Sequence, residues 1–256
     1  MKRLHIVGCP RSGTTLLMTL VSSCFASDGY CEHEMNIFQP VDIPGDLYFT
    51  KQPNDIRQLQ HILHRDTQLF VIYMGRDPRA VITSQHLESP GQYFCNYRVW
   101  QECDSAARRY EDHPRFLAIR YEDLVSDPDA VQVGIMAQFP FLQRKHLFSE
   151  YHLHAQASGA AQRAMNGLRQ VSRESLSKWR QHLPRIAEQY RRHPSLADDL
   201  VRLGYEPDPG WLSMLDGVAS VVYPCRYGER REHFKEWEKS MRVYLKSRRY
   251  LKRRGC

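Results

Sequence analysis

Gly8 and Gly13 stand in G-x-x-x-x-G spacing between the apolar run Leu4–Val7 and a segment with helical character from about Thr14 to Phe25. A strand that turns through such a loop into a helix offers backbone N–H groups and a helix N-terminus to an anion. A nucleoside-triphosphate loop continues with Lys and then Ser or Thr. Here those two positions are Thr14 and Thr15, and the cation lies inside the loop as Arg11. The lysine that reaches terminal phosphates is missing, which disfavours an ATPase, a GTPase or an ordinary kinase. A kinase or NTPase with an altered loop is the rival enzymatic reading. A second anion site is predicted at Tyr73-Met74-Gly75-Arg76-Asp77-Pro78-Arg79-Ala80-Val81. This segment leaves a strand and enters a helix at Pro78, with Asp77 as its natural N-cap. Arg76, at the strand end, can grip a phosphate bidentately, or it can serve as an ion-pair partner for Asp77. Ser84 follows eight residues later, about two turns into the expected helix.

These loops need a scaffold. Apolar strands are expected at Leu4–Val7, Leu69–Met74 and Phe116–Tyr121, and helices at about 14–25, 78–87, 55–65, 97–112, 129–138 and 175–203. Short apolar strands alternating with helices predict an α/β fold, a P-loop-like parallel sheet flanked by helices on both faces. Residues 86–96 and 155–174 read as irregular, and 207–228 as a loop rich in Pro and Gly. A final basic amphipathic helix is expected over 229–253. The predicted division is an α/β domain over 1–207 and a C-terminal loop and basic helix over 208–256.

Pro10-Arg11-Ser12-Gly13-Thr14-Thr15 resembles the 5′-phosphosulfate loop of sulfotransferases, which use 3′-phosphoadenosine 5′-phosphosulfate (PAPS). Arg76 followed eight residues on by Ser84 resembles the 3′-phosphate motif of the same family. Two such loops about 65 residues apart match the two ends of one nucleotide. The resemblance extends to the protein-tyrosine sulfotransferases. Cys31-Glu32-His33-Glu34 is similar to a segment whose last Glu is the general base, a role that falls on Glu34, with Glu32 second and His33 third. Lys51 in Lys51-Gln52-Pro53 is similar to a lysine that stabilises the sulfuryl group in the transition state. Tyr121-Glu122-Asp123-Leu124 is similar to an element whose tyrosine contacts the nucleotide, and Ser177-Lys178-Trp179 to one whose lysine helps hold it. The resemblance implies the sulfotransferase fold, PAPS as cofactor and an in-line transfer to an acceptor hydroxyl on a glycan, lipid, small metabolite or polypeptide tyrosine. It implies Arg11, Lys51 and Glu34 as catalytic residues. Arg11, Ser12, Gly13, Thr14, Thr15, Arg76, Ser84, Tyr121 and Lys178 are implied as nucleotide ligands, with no metal. A further basic residue of the tyrosine enzymes falls here on Glu88.

Composition bounds the remainder. The chain has 256 residues, 42% of them hydrophobic and 25% charged, enough to bury a sizeable core. Seven cysteines without CxxC spacing and scattered histidines suggest neither a disulfide framework nor a metal centre. No apolar run approaches the ~20 residues of a membrane span. Met1-Lys2-Arg3 runs straight into a strand, which predicts no leader peptide and a cytoplasmic protein. The net charge of +7 is concentrated in 226–256, where 12 Lys/Arg face 4 Glu. The body is nearly neutral, so nucleic-acid binding is not expected. The basic tail predicts either peripheral contact with an anionic membrane face through 229–253 or docking on the body, and it leaves a homodimer open. A non-catalytic, membrane-associated relative of the sulfotransferases is the non-enzymatic alternative.

Overall fold

Strand β1 (Lys2–Gly8) is buried along nearly its whole length because its two faces meet two different cores. Leu4 and Ile6 enter one core, with Leu17, Val21, Phe49 and Met74. Val7 enters the other, with Val71, Tyr73, Trp100 and Ile186. This is the signature of a parallel sheet covered by helices on both sides.

The computed structural model describes residues 1–86, 89–165, 167–229 and 233–256. After β1 come α1 (Thr14–Cys24), β2 (Gly29–Tyr30), β3 (Leu47–Lys51), β4 (Leu69–Gly75), α2 (Pro78–Ile82), the hairpin β5 (Gln85–His86) and β6 (Ser89–Tyr93), and α3 (Tyr97–Arg108). There follow β7 (Phe116–Arg120), α4 (Tyr121–Ser126), α5 (Pro128–Gln138), α6 (Tyr151–His154), α7 (Gly159–Met165), α8 (Leu183–Arg192), α9 (Ser195–Arg202) and α10 (His233–Arg254). The main sheet is parallel, in the order β2-β3-β1-β4-β7. Its direction of winding reverses at β1, and ligands of such sheets bind beyond the strand C-termini at that reversal. Register puts Ile6 beside Lys51, Gly8 beside Met74 and Gly75 beside Arg120. Arg11, Lys51, Arg76 and Tyr121 therefore lie together at the C-terminal ends of the strands.

Several elements differ from expectation. The helix expected from Pro78 to Leu87 ends at Ile82, and Leu87 lies outside the described residues. The Thr83 hydroxyl donates back to the Arg79 carbonyl at 2.6 Å, and Phe94 N–H donates to the Ser84 carbonyl at 2.9 Å. The chain is thereby drawn into the hairpin, and Ser84 sits beyond the helix rather than within it. The helix expected over 175–203 is divided, because Pro184 opens α8 and Pro194 stands before α9, each without an N–H to continue a helix. Residues 53–61 wind as a 3₁₀ helix. The stretch 155–174, expected to be irregular, contains α7.

Residues 208–256 contribute to the same core as the body. Trp211, Tyr250 and Leu251 are buried in the cluster of Tyr73 and Trp100. The buried Asp66 carboxylate accepts from Tyr250 OH at 2.5 Å and from Arg254 Nε at 2.8 Å. Burial alone would raise the Asp66 pKa, but the hydrogen bonds from Arg254 and Tyr250 outweigh it and hold the carboxyl below its usual value. A depressed carboxyl stabilises the fold above its unfolded pKa and loses that contribution as pH falls through the folded one. Asp66→Asn is therefore expected to lower the melting temperature at neutral pH, and to differ progressively less from the parent as pH falls below the ordinary carboxylate range. Thermal denaturation against pH measures this. Among the described residues no helix is long and apolar enough to cross a membrane.

Candidate active site

The Gly8–Gly13 loop is held in a conformation that most sequences avoid. Arg11 is the one non-glycine among the described residues with positive φ, at 73°, and Gly13 follows at 99°. Gly13 has a second reason to lack a side chain: a Cβ there would lie 2.4 Å from the Tyr121 ring. A Cβ on Gly8 would meet the Ser12 hydroxyl at 2.6 Å and the Met74 carbonyl at 2.8 Å. Close approach of loop and sheet is thus written into both glycines. Gly13 supplies no capping side chain to α1, so the first-turn N–H groups of that helix are left to the cleft. The buried Ser12 Oγ finds no hydrogen-bond partner among the described residues.

The second loop meets the first directly. Arg76 donates from Nη1 to the Arg11 carbonyl at 3.0 Å, and Arg11 donates from Nε to Ser84 Oγ at 2.8 Å. The Arg76 guanidinium lies 4.0 Å from the centre of the Tyr121 ring, and its Nε is buried without a partner among the described residues. Burial, and then the charge of Arg76, pull Arg11 below the usual guanidinium pKa. Two mutually repelling guanidiniums with an orphaned donor form a cradle suited to an anion. Tyr121 is fixed from its far end, where its hydroxyl meets Ser175 Oγ at 2.7 Å. Glu122 accepts from the Asp77 N–H at 3.0 Å and from Tyr205 OH at 3.1 Å, which makes it structural.

A third cation arrives from β3. Lys51 Nζ donates to Thr15 Oγ1 at 3.1 Å and faces Glu34 Oε1 at 3.6 Å. Lys51 is itself held by its backbone N–H to the Cys31 thiol at 3.2 Å, and its carbonyl accepts from Met35 N at 2.9 Å. The Cys31–Met35 segment thus carries Glu34 to the strand end.

A cleft of about 450 Å³ gathers these groups: Arg11, Gly13, Thr14, Thr15, Glu34, Arg76, Ser84, Tyr121 and Lys178 all line it. A neighbouring cavity of about 330 Å³ shares Thr15 and is walled by Lys51, Glu32, Tyr30, Ser22 and Gln162. The Lys51–Glu34 pair stands where the two spaces meet. His33 is exposed and lines neither. Trp179 is core, stacked 4.0 Å beneath the Arg79 guanidinium. Glu88 lies outside the described residues.

No protein-family profile and no curated protein matches the chain. Among solved structures, the sulfotransferase domain from the curacin biosynthetic pathway matches with a TM-score of 0.51 and 16% identity, over 70% of this chain and 90% of that domain. The chain has the sulfotransferase fold. The sulfotransferase domain from the Synechococcus PCC 7002 olefin synthase matches at TM-score 0.46 and 17% identity, over 70% of this chain and 86% of its own. Mouse sulfotransferase SULT7A1 complexed with PAP matches at 0.37 and 15%, over 54% and 58%.

Sequence reasoning missed part of this sulfotransferase-fold cleft. Arg169, Gln170, Ser172 and Ser175 also line it. They follow α7, whose start was signalled by Ser158, an N-cap type before Ala160-Ala161-Gln162. Strand β3 was also missed as a strand, although Leu47-Tyr48-Phe49-Thr50 is β-favouring throughout.

Proposed function

We propose that this protein transfers a sulfuryl group from PAPS to an acceptor hydroxyl. The observation that carries the reading is the convergence of Arg11, Arg76 and Ser84 in one cleft at the sheet's reversal, with Thr14 where a nucleotide kinase needs lysine. The orphaned Arg76 Nε, the uncapped start of α1 and the absent Cβ of Gly13 fit a ligand with anions at both ends, whereas the Ser12 hydroxyl is fully buried on the Gly8 side of the loop and does not line the cleft. The Gly8–Thr15 loop would hold the 5′-phosphate, and Arg76 with Ser84 the 3′-phosphate, which would take over the bond Arg11 now makes to Ser84. Tyr121 and Lys178 would flank the nucleotide.

The reaction is an in-line displacement at sulfur. A bond forms from acceptor oxygen to sulfur as the bond from sulfur to the 5′-phosphate oxygen breaks. Glu34 receives the acceptor proton, and Lys51 and Arg11 offset negative charge growing on the bridging and peripheral oxygens. The acceptor enters through the cavity beside Thr15. Its lining mixes hydrogen-bonding groups of Tyr30, Ser22, Glu32 and Gln162 with apolar Met18, Ala155 and Ala161, which suits an acceptor that carries a hydroxyl on a partly apolar body.

Thermal shift with adenosine 3′,5′-bisphosphate, 5′-AMP and ATP tests the donor site. The bisphosphate is expected to stabilise the protein most. Arg76→Ala is expected to weaken its binding by about 10-fold or more, as one charge-assisted contact to phosphate is lost. Equal responses to the bisphosphate and 5′-AMP, or parental affinity in Arg76→Ala, would overturn the 3′-phosphate assignment. Stabilisation by ATP with magnesium alone would favour the kinase reading.

A further inference from the structure

Helix α10 has two apolar faces, and the body covers one of them. Val243, Ser247, Tyr250, Leu251 and Arg254 recur at helical spacing; Tyr250 and Leu251 enter the core with Val243 packed against it, Ser247 is buried, and Arg254 reaches Asp66. A second stripe, Trp237, Met241 and Leu245, also recurs every four residues and projects along a different side of the helix. These three side chains are 71%, 42% and 46% exposed. Tyr244, its ring 5.6 Å from that of His61, marks the border between the two faces.

The free stripe is bordered by cations and by the acid Glu238, which pairs with Arg242 at 3.8 Å. From Met241 to Arg254 the helix carries seven Lys/Arg and no Asp or Glu. Arg242, Lys246, Arg248, Arg249 and Lys252 are all exposed. A surface helix that only docks on its own domain turns a single apolar stripe inward and its charges outward. An extra apolar stripe beside a dense row of cations instead matches an interface of headgroups over acyl chains, where the tryptophan and aliphatic groups sink and the cations meet phosphate.

We propose that α10 docks this protein on an anionic lipid bilayer through Trp237, Met241 and Leu245, with Arg242, Lys246 and Arg249 on the headgroups. Charge decides between this occupant and a second copy of the chain. A second α10 would bring the same positive charge, and the nearly neutral body offers no compensating field. Nucleic acid would satisfy the cations but leave the apolar stripe in water. Such docking would hold the active-site protein against a membrane face whatever its acceptor, so it stands independently of the sulfuryl-transfer reading.

The experiment uses the full chain with vesicles of phosphatidylcholine alone and with about 30% phosphatidylglycerol, a composition with a negative surface potential. Trp100, Trp179 and Trp211 are buried, so a change in tryptophan emission on mixing reports Trp237. The anionic vesicles are expected to carry the protein down on sedimentation, to shift emission to the blue, and to release the protein at about 0.5 M salt, where surface charges are screened. Trp237→Ser with Leu245→Ser is expected to reduce partition about 10-fold or more, and Arg242→Gln or Lys246→Gln about 5-fold each. All four side chains are exposed, so melting temperatures should stay at the parental value and serve as the folding control. Failure to bind anionic vesicles, equal binding to both compositions, or undiminished partition of the serine variant would overturn the proposal. So would sedimentation equilibrium showing a dimer that the serine variant converts to monomer, which would assign the stripe to a second copy. Tight salt-sensitive retention of duplex DNA with no vesicle binding would assign the cations to nucleic acid.

Discussion

Lys51→Met is expected to lower release of adenosine 3′,5′-bisphosphate from PAPS by about 10²–10³ while leaving the affinity for that product within a few-fold of the parent. The physical ground is the placement of Nζ. It is largely buried, 3.1 Å from Thr15 Oγ1 at the end of the anion loop, and lies between the donor cleft and the neighbouring cavity. In the proposed transfer a charge there would act on oxygens whose negative charge grows only as the sulfur–oxygen bond breaks, so its loss should appear in kcat more than in binding. Methionine keeps the stem and removes the ammonium. Single-turnover rates with saturating PAPS, beside product affinity from thermal shift, separate the two quantities. A variant that lost affinity and rate in equal measure would make Lys51 an ordinary nucleotide ligand.

Glu34→Gln should show an equal or greater loss, about 10²–10⁴ in turnover, because glutamine preserves shape but accepts no proton at catalytic pH. Glu34 lines the donor cleft and faces Lys51 at 3.6 Å, whereas Glu32 lines the neighbouring cavity. Glu32→Gln is accordingly expected to raise KM for the acceptor and to spare kcat. Both are read once an acceptor has been identified by mass spectrometry of mixtures incubated with PAPS. Normal turnover in Glu34→Gln with collapse in Glu32→Gln would exchange their roles. Glu34 is half-exposed, so an acceptor hydroxyl can reach its carboxylate from solvent.

The scaffold was largely legible because its signals are local. β1 and β4 are apolar runs bounded by turn residues, and burial on both faces leaves such runs few alternatives to a parallel core strand, while the edge strand β7 shows the same apolar run with only Phe116 buried. Asp77-Pro78 announces its helix start in two residues. The helix end was not legible. Val81-Ile82-Thr83-Ser84 can continue a helix, and it stops because the hairpin brings the Phe94 N–H, ten residues away, to the Ser84 carbonyl. The break between α8 and α9 was visible in Pro194, but apolar periodicity on both sides of it suggested one longer helix.

Within the site, residue types and spacing alone marked Arg11, Thr14, Thr15 and Arg76 as parts of anion loops, because a phosphate cradle needs backbone N–H groups, glycine and a cation close together in the chain. Only the tertiary structure placed Arg76 against the Arg11 carbonyl, Lys51 against Thr15, and Arg169 and Ser175 in the same cleft, since these partners meet through sheet register and the packing of segments many residues apart. The same division holds for α10. Its basic, apolar periodicity is a property of the sequence, but which of its two stripes faces the body was decided by the Asp66 pocket that captures Tyr250 and Arg254 and leaves Trp237 in solvent.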